Sequence, residues 1–224
     1  MAARFLGLGN SRSWLRVVMW PVWTVGIIVA VNDNLVEVTS IDGPSMSPTL
    51  SAQYHETGKA DYVVWRKWDP ARNLRRGDLV SFLAPHKPDK LVAKRVVGLE
   101  GDTVLLDERR KPEGEGLVGE KLSRDWDIMG HWDWQSAARM KEKGETGSAP
   151  AVHVPWRHVW VEGDNWRRSE DSNTYGPISK SLIIGKGVCV FSPFRKFGTK
   201  PWEGVQGDTV VKHGRASVPE EWRD

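Results

Sequence analysis

The longest apolar run of the chain lies near its N-terminus. From Val17 to Val31, fifteen residues carry no charge and are mostly apolar. At 1.5 Å per residue a helix of that length covers roughly 22 Å, less than the ~30 Å hydrocarbon core of a bilayer. Trp14 and Leu15 lengthen it, and Arg16 can reach the headgroups along its aliphatic stem, so residues 14–31 read as a single membrane anchor. Pro21 is expected to kink this helix, as transmembrane helices tolerate. Two other readings stay open: a cleaved signal peptide, although no A-x-A-like site follows, and a buried core helix. Residues 1–16 hold Arg4, Arg12 and Arg16 and no acidic residue, which suits a targeting segment or the positive flank of an anchor. Asp33, Glu37 and Asp42 follow the run, so the charge asymmetry leaves the N-terminus on the matrix or cytoplasmic side and the remainder across the membrane.

Beyond the anchor the pattern shortens to strand length. Asp61–Arg66, Asp78–Leu83, Leu91–Leu99, Thr103–Leu106, His158–Glu162 and Leu182–Phe191 are short apolar runs bounded by turn residues. The two prolines of Ala84–Lys90 mark a hairpin connection, and Glu100-Gly101-Asp102 marks a turn. Strands this closely spaced predict a mainly β, antiparallel domain over residues 32–198. From about 107 to 150 the pattern breaks into Glu, Lys, Gly and Arg around Trp126, Trp132 and Trp134, with a short helix expected near Gln135–Lys143. That stretch reads as a partly disordered insertion, and residues 199–224 as a loose polar tail.

Composition narrows the function classes. The 224 residues are 39% hydrophobic and 27% charged, with a net charge of +3 and a pI near 9.0. Acids and bases are interspersed and no Lys/Arg block occurs, so no nucleic-acid partner is expected. A single cysteine, Cys189, excludes an internal disulfide and sits in an apolar run where a structural thiol is expected. Of thirteen tryptophans, Trp14, Trp20 and Trp23 lie in or beside the anchor, as aromatic residues near a membrane interface do.

Two residues carry candidate chemistry. Ile41-Asp42-Gly43-Pro44-Ser45-Met46-Ser47-Pro48-Thr49-Leu50 cannot be a regular helix or a central strand, and its Gly-Pro turn holds Ser45 at a fixed angle. Ser45 can equally be an ordinary turn residue. Lys94 stands in the apolar run Leu91–Leu99 beside Arg95, and strand alternation lets only one of the two reach water easily. Burial or a like charge lowers a lysine pKa and frees the amine to act as a general base, whereas a lysine at a strand edge simply snorkels. A serine hydroxyl needs such a base before it attacks a carbonyl, and Ser-Lys pairs are one solution. His55, His86, His131, His153, His158 and His213 are rival bases in less suggestive settings, and no H-E-x-x-H motif supports a metal site.

Three blocks in order resemble one family, the type I signal peptidases with a Ser-Lys dyad, and within it the mitochondrial inner membrane peptidases. Gly43-Pro44-Ser45-Met46-Ser47-Pro48-Thr49-Leu50 resembles the nucleophile box, and Lys94-Arg95-Val96-Val97-Gly98-Leu99-Glu100-Gly101-Asp102 the base box. Gly163-Asp164-Asn165, continuing through Ser169-Glu170-Asp171-Ser172 to Gly176, resembles the third box. The resemblance implies a signal-peptidase-like antiparallel β domain on an N-terminal transmembrane helix. It implies cleavage of sorting peptides from precursor proteins delivered to the intermembrane space. It also implies no cofactor and a heterodimer with a related subunit. Carried over, Ser45 is the nucleophile, Lys94 the base, Ser169 the hydroxyl that orients the amine and Asp171 its support, with the Ser45 N–H in the oxyanion hole. Two positions depart from the family. Gly43 stands where relatives often place a second oxyanion donor, and Asn173 stands where the third box often has arginine. A bacterial-type leader peptidase and a catalytically silent partner subunit remain as alternatives.

Overall fold

The computed structural model describes residues 11–85, 87–107, 151–205 and 207–216. The expected insertion, its tryptophans and its short helix lie outside the described residues, apart from Asp107.

An α-helix, α1, runs from Ser11 to Asn34 with Pro21 inside it. Its 24 residues span about 36 Å at the α-helical rise. Among the described residues no helix is long and apolar enough to cross a membrane. The apolar side chains of α1 nonetheless face outward: Trp20, Val22, Trp23, Ile27 and Ile28 are each more than half exposed. Among the described residues no core covers them, so α1 is not a buried core helix of this part of the chain.

The rest of the described chain is mainly antiparallel β-structure. Ten strands follow in order: β1 Val36–Ile41, β2 Asp61–Arg66, β3 Leu79–Ala84, β4 Lys87–Gly98, β5 Thr103–Leu105, β6 Ala151–His153, β7 His158–Glu162, β8 Ile178–Ser179, β9 Ile183–Ser192 and β10 Val211–Lys212. Seven form one sheet in the order β1-β2-β9-β3-β4-β7-β8, and β10-β5-β6 form a second. Short helices at Tyr54–Thr57 (α2) and Ser172–Tyr175 (α3) sit in the connections.

Strand alternation sorts the side chains into separate cores. Leu79 packs with Ile41, Met46, Leu50, Val63, Trp65, Val190 and Trp202. Its neighbour Val80 packs with Phe82, Val96, Val159, Val161, Tyr175, Ile178 and Ile183. A third group, Val104, Leu106, Val152, Val154 and Trp160, closes the small sheet on β7.

Three expectations change. β1 was not anticipated, because its six residues follow directly on the anchor pattern. The hairpin before the strand of Lys94 is tighter than the prolines suggested, since β4 begins at Lys87 and Ala84 pairs with Lys87. The described part of the expected polar tail, residues 199–205 and 207–216, is not loose. Trp202 is buried, and β10 pairs with β5. Cys189 is half-buried on β9.

Candidate active site

The loop between β1 and β2 is held from inside. Met46 and Leu50 are fully buried in the first core and act as two anchors on either side of a tight turn. The Ser47 N–H donates to the Pro44 carbonyl at 3.0 Å and the Leu50 N–H to the Met46 carbonyl at 2.9 Å. Gly43 at φ +97° starts the turn, a backbone conformation that disfavours a Cβ. Ser51 closes it: its hydroxyl donates to the Ile41 carbonyl at 2.6 Å and accepts from the Asp61 N–H at 3.0 Å. Ser45, between Pro44 and the buried Met46, lines a cleft of about 510 Å³.

Lys94 lines the same cleft from β4. It lies on an interior strand between β3 and β7 and is only 3% exposed, so it does not snorkel from an edge. It shares its face with Val92 and Val96, both packed in the second core, and this apolar surrounding disfavours the ammonium. Burial lowers the Lys94 pKa to about 8, with Lys90 adding to the effect, while Asp171, Glu170 and Asp164 pull it back. No hydrogen bond joins Lys94 to Ser45 in this structure. Among the described residues no histidine lines the cleft; His86 and His131 lie outside them.

Arg95 was expected to have water within reach if Lys94 did not, yet it is equally buried. Its guanidinium is satisfied on the opposite face instead. Nε and Nη2 form a two-pronged pair with Asp164 at 2.8 and 2.7 Å, and Nη1 donates to the Gly77 and Trp202 carbonyls. This pair ties β4 to the third sequence block.

That block wraps around Asp171. The Asp171 carboxylate caps α3 by accepting from the Asn173 N–H at 3.1 Å. It also accepts from Asn173 Nδ2 at 3.0 Å, the Gly163 N–H at 2.9 Å and Ser169 Oγ at 2.6 Å. Asn173, at the position where the third box often has arginine, thus pairs with Asp171 through its amide. Ser169 lines the cleft with Ser45 and Lys94. The Asn165 N–H donates to the Ser45 carbonyl at 3.0 Å, so the third block grips the Ser45 loop through backbone. Gly163 permits the approach: a Cβ there would stand 2.3 Å from Ser169 Oγ and 2.6 Å from the Ser45 carbonyl oxygen.

The signal peptidase family profile, peptidase S26, matches residues 13–192. The chain belongs to this family. Mitochondrial inner membrane protease subunit 2 of Saccharomyces cerevisiae is 33% identical over 194 residues, spanning 85% of this chain and 88% of the yeast protein. The mouse protein of the same name is 30% identical over 83% of this chain and 87% of its own length. Subunit 1 of the yeast protease is 28% identical over 88% of this chain and 87% of its own length. Among solved structures, a signal peptidase I from Enterococcus faecalis aligns with a TM-score of 0.30 and 24% identity over 51% of this chain and 96% of its own.

Ser45, Lys94 and Ser169 are brought to one cleft, with Asp171 immediately behind Ser169. Sequence reasoning missed the Arg95–Asp164 pair, the Asn165 grip on Ser45 and the two-sided role of Asn173. The Gly163-Asp164-Asn165 triplet carried a signal for the first two. A buried cation on one strand needs a carboxylate, and Asp164 was the nearest unassigned one in a recognised block.

Proposed function

We propose that the chain is a membrane-anchored serine endopeptidase that removes sorting peptides from proteins delivered to the mitochondrial intermembrane space. The observation that carries this reading is a 3% exposed lysine with its pKa lowered to about 8, sharing a cleft with a serine on a core-anchored turn. The neutral Lys94 amine takes the Ser45 proton, Ser45 Oγ attacks the scissile carbonyl, and an acyl-enzyme forms as the leaving amine is protonated by Lys94. Lys94 then serves as base toward the water that releases the acyl group. Among the described residues no hydrogen bond engages the Ser45 N–H, which leaves it to donate to the developing oxyanion. Ser169, with its proton given to Asp171, offers a lone pair to orient the amine.

In this reading α1 is the anchor, spanning residues 14–31, and residues 32–198 form the peptidase domain in the intermembrane space. The exposed apolar surface of α1 supports the first assignment. Relatives named as subunits 1 and 2 of one protease support a heterodimer with a related chain.

The test replaces Ser45→Ala and Lys94→Met separately and follows precursor intermediates in mitochondria carrying only the variant. Both variants are expected to accumulate the uncleaved intermediate at wild-type protein levels. Normal maturation in either would remove the dyad.

A further inference from the structure

A second cavity, of about 380 Å³, opens at the end of the sheet from which α1 emerges. Arg66 on its wall pairs with Val36, the first residue of β1, and with Lys186 of β9. The next residue, Lys67, donates its N–H to the Leu35 carbonyl at 2.8 Å and holds Glu37 in an ion pair at 3.0 Å, so β2 ends against the exit of the helix. Six cations line the cavity: Arg66, Arg72, Arg75, Arg76, Lys186 and Lys200. Among the described residues two carboxylates, Asp78 and Glu203, line it with them.

Three of these six cations have a carboxylate partner among the described residues, and three do not. Arg76 is held by Asp102, and Lys186 by Asp78. Arg72 is 3.9 Å from Asp69, at the limit of an ion pair. Among the described residues Arg66, Arg75 and Lys200 have no carboxylate partner. Arg66 lies instead over the ring of Trp68 at 5.0 Å, and Trp68 is itself 56% exposed. Cations left without partners repel one another, so an uncompensated group of them around a concavity is stabilised by an anion. An exposed tryptophan beside them is the side chain that settles at headgroup depth, with an apolar ring and a polar N–H.

We propose that this cavity seats the phosphate of an anionic phospholipid headgroup and so docks the α1-proximal end of the sheet on the bilayer. The proposal rests on α1 being the membrane helix. A lipid phosphate is the source the position favours, because the cavity lies one residue pair from the point where the chain leaves α1. Docking here fixes how the domain is held over the membrane, and thereby the height of the Ser45 cleft above it. Near an anionic surface each lysine or arginine contributes about a fivefold factor in affinity, so Arg75 and Lys200 together account for roughly twenty-fivefold.

The experiment places the full chain in nanodiscs of phosphatidylcholine alone or with phosphatidylglycerol, and follows amide hydrogen exchange in residues 66–78 and 200–204. The expected result is slower exchange of both segments in phosphatidylglycerol discs, lost in an Arg75→Gln/Lys200→Gln variant whose Tm is unchanged. Equal exchange in the two lipids overturns the proposal. So does protection that survives the double substitution. Equal protection of the detergent-solubilised chain by inorganic phosphate replaces the lipid by a free-phosphate site and also overturns it. A chain that does not co-migrate with the discs fails the anchor reading itself, which separates that failure from the others.

Discussion

Lys94 shows how one side chain can be set for chemistry by its neighbours alone. Val92 and Val96 on its own face and Val80 across the ladder give the ammonium no water, and the carboxylates around it restore only part of that loss. The resulting pKa of about 8 fixes the sign of a pH dependence. A base must be unprotonated to act, so kcat/KM for a cleavable peptide is expected to rise about tenfold per pH unit below 7 and to level off above pH 8. Lys94→Arg keeps the charge but cannot lose its proton, and is expected to be inactive at every pH. Steady-state cleavage measured from pH 6 to 9.5 checks both, and a flat profile for the wild-type chain would count against a lysine base. Ser45 and Lys94 were legible in the sequence because each breaks its local pattern: a hydroxyl in a Gly-Pro turn, a cation in an apolar strand. Arg95 was not. Its neighbours resemble those of Lys94, and its partner Asp164 stands 69 residues further along the chain.

At the level of elements, β4 is the piece on which the site depends. One strand sends Lys94 toward the cleft and Arg95 toward the opposite face, where Asp164, Gly77 and Trp202 receive it. The strand pattern was readable, since apolar runs bounded by turn residues located β2, β3, β4, β7 and β9 and the three-residue β5. β1 and the short strands β6, β8 and β10 were missed. β6, β8 and β10 have two or three residues each, too few for an alternation to show, and exist because β5 and β7 offer them a ladder. Arg95 also makes the coupling of β4 to the third block measurable. Arg95→Met leaves Asp164 charged and nearly buried, and is expected to cost about 3–5 kcal/mol in urea unfolding. Adding Asp164→Asn removes that charge and is expected to recover part of the loss. Equal stability of the two variants would mean that the pair is not what holds the block.

Over the whole molecule, the segment after β9 reaches back to the site through a chain of hydrogen bonds. Thr209 Oγ1 donates to Glu162 Oε2 at 2.6 Å, and Glu162 Oε1 accepts from Asn173 Nδ2 at 3.2 Å. Asn173 Nδ2 donates in turn to Asp171, which holds Ser169. The Gly214 N–H donates to Asp102, the buried partner of Arg76, so the same segment also supports the cationic cavity. None of this was legible, because the described residues of this segment are polar and mostly exposed, with Trp202 drawn into the first core and Val211 packed against the third. Two changes separate the local from the global contribution. Thr209→Val removes one donor to a buried carboxylate and is expected to cost about 1–3 kcal/mol while leaving the fold intact. Ending the chain at Val205 removes β10 as well, uncovers the edge of β5 and takes away both the Thr209 and the Gly214 hydrogen bonds. The truncated chain is expected to melt at a clearly lower temperature than the Thr209→Val variant, with a larger loss of peptidase activity. Thermal unfolding and peptide cleavage on the same preparations check this, and a truncated chain that matches the wild type in both would show that the third block stands without the segment behind it.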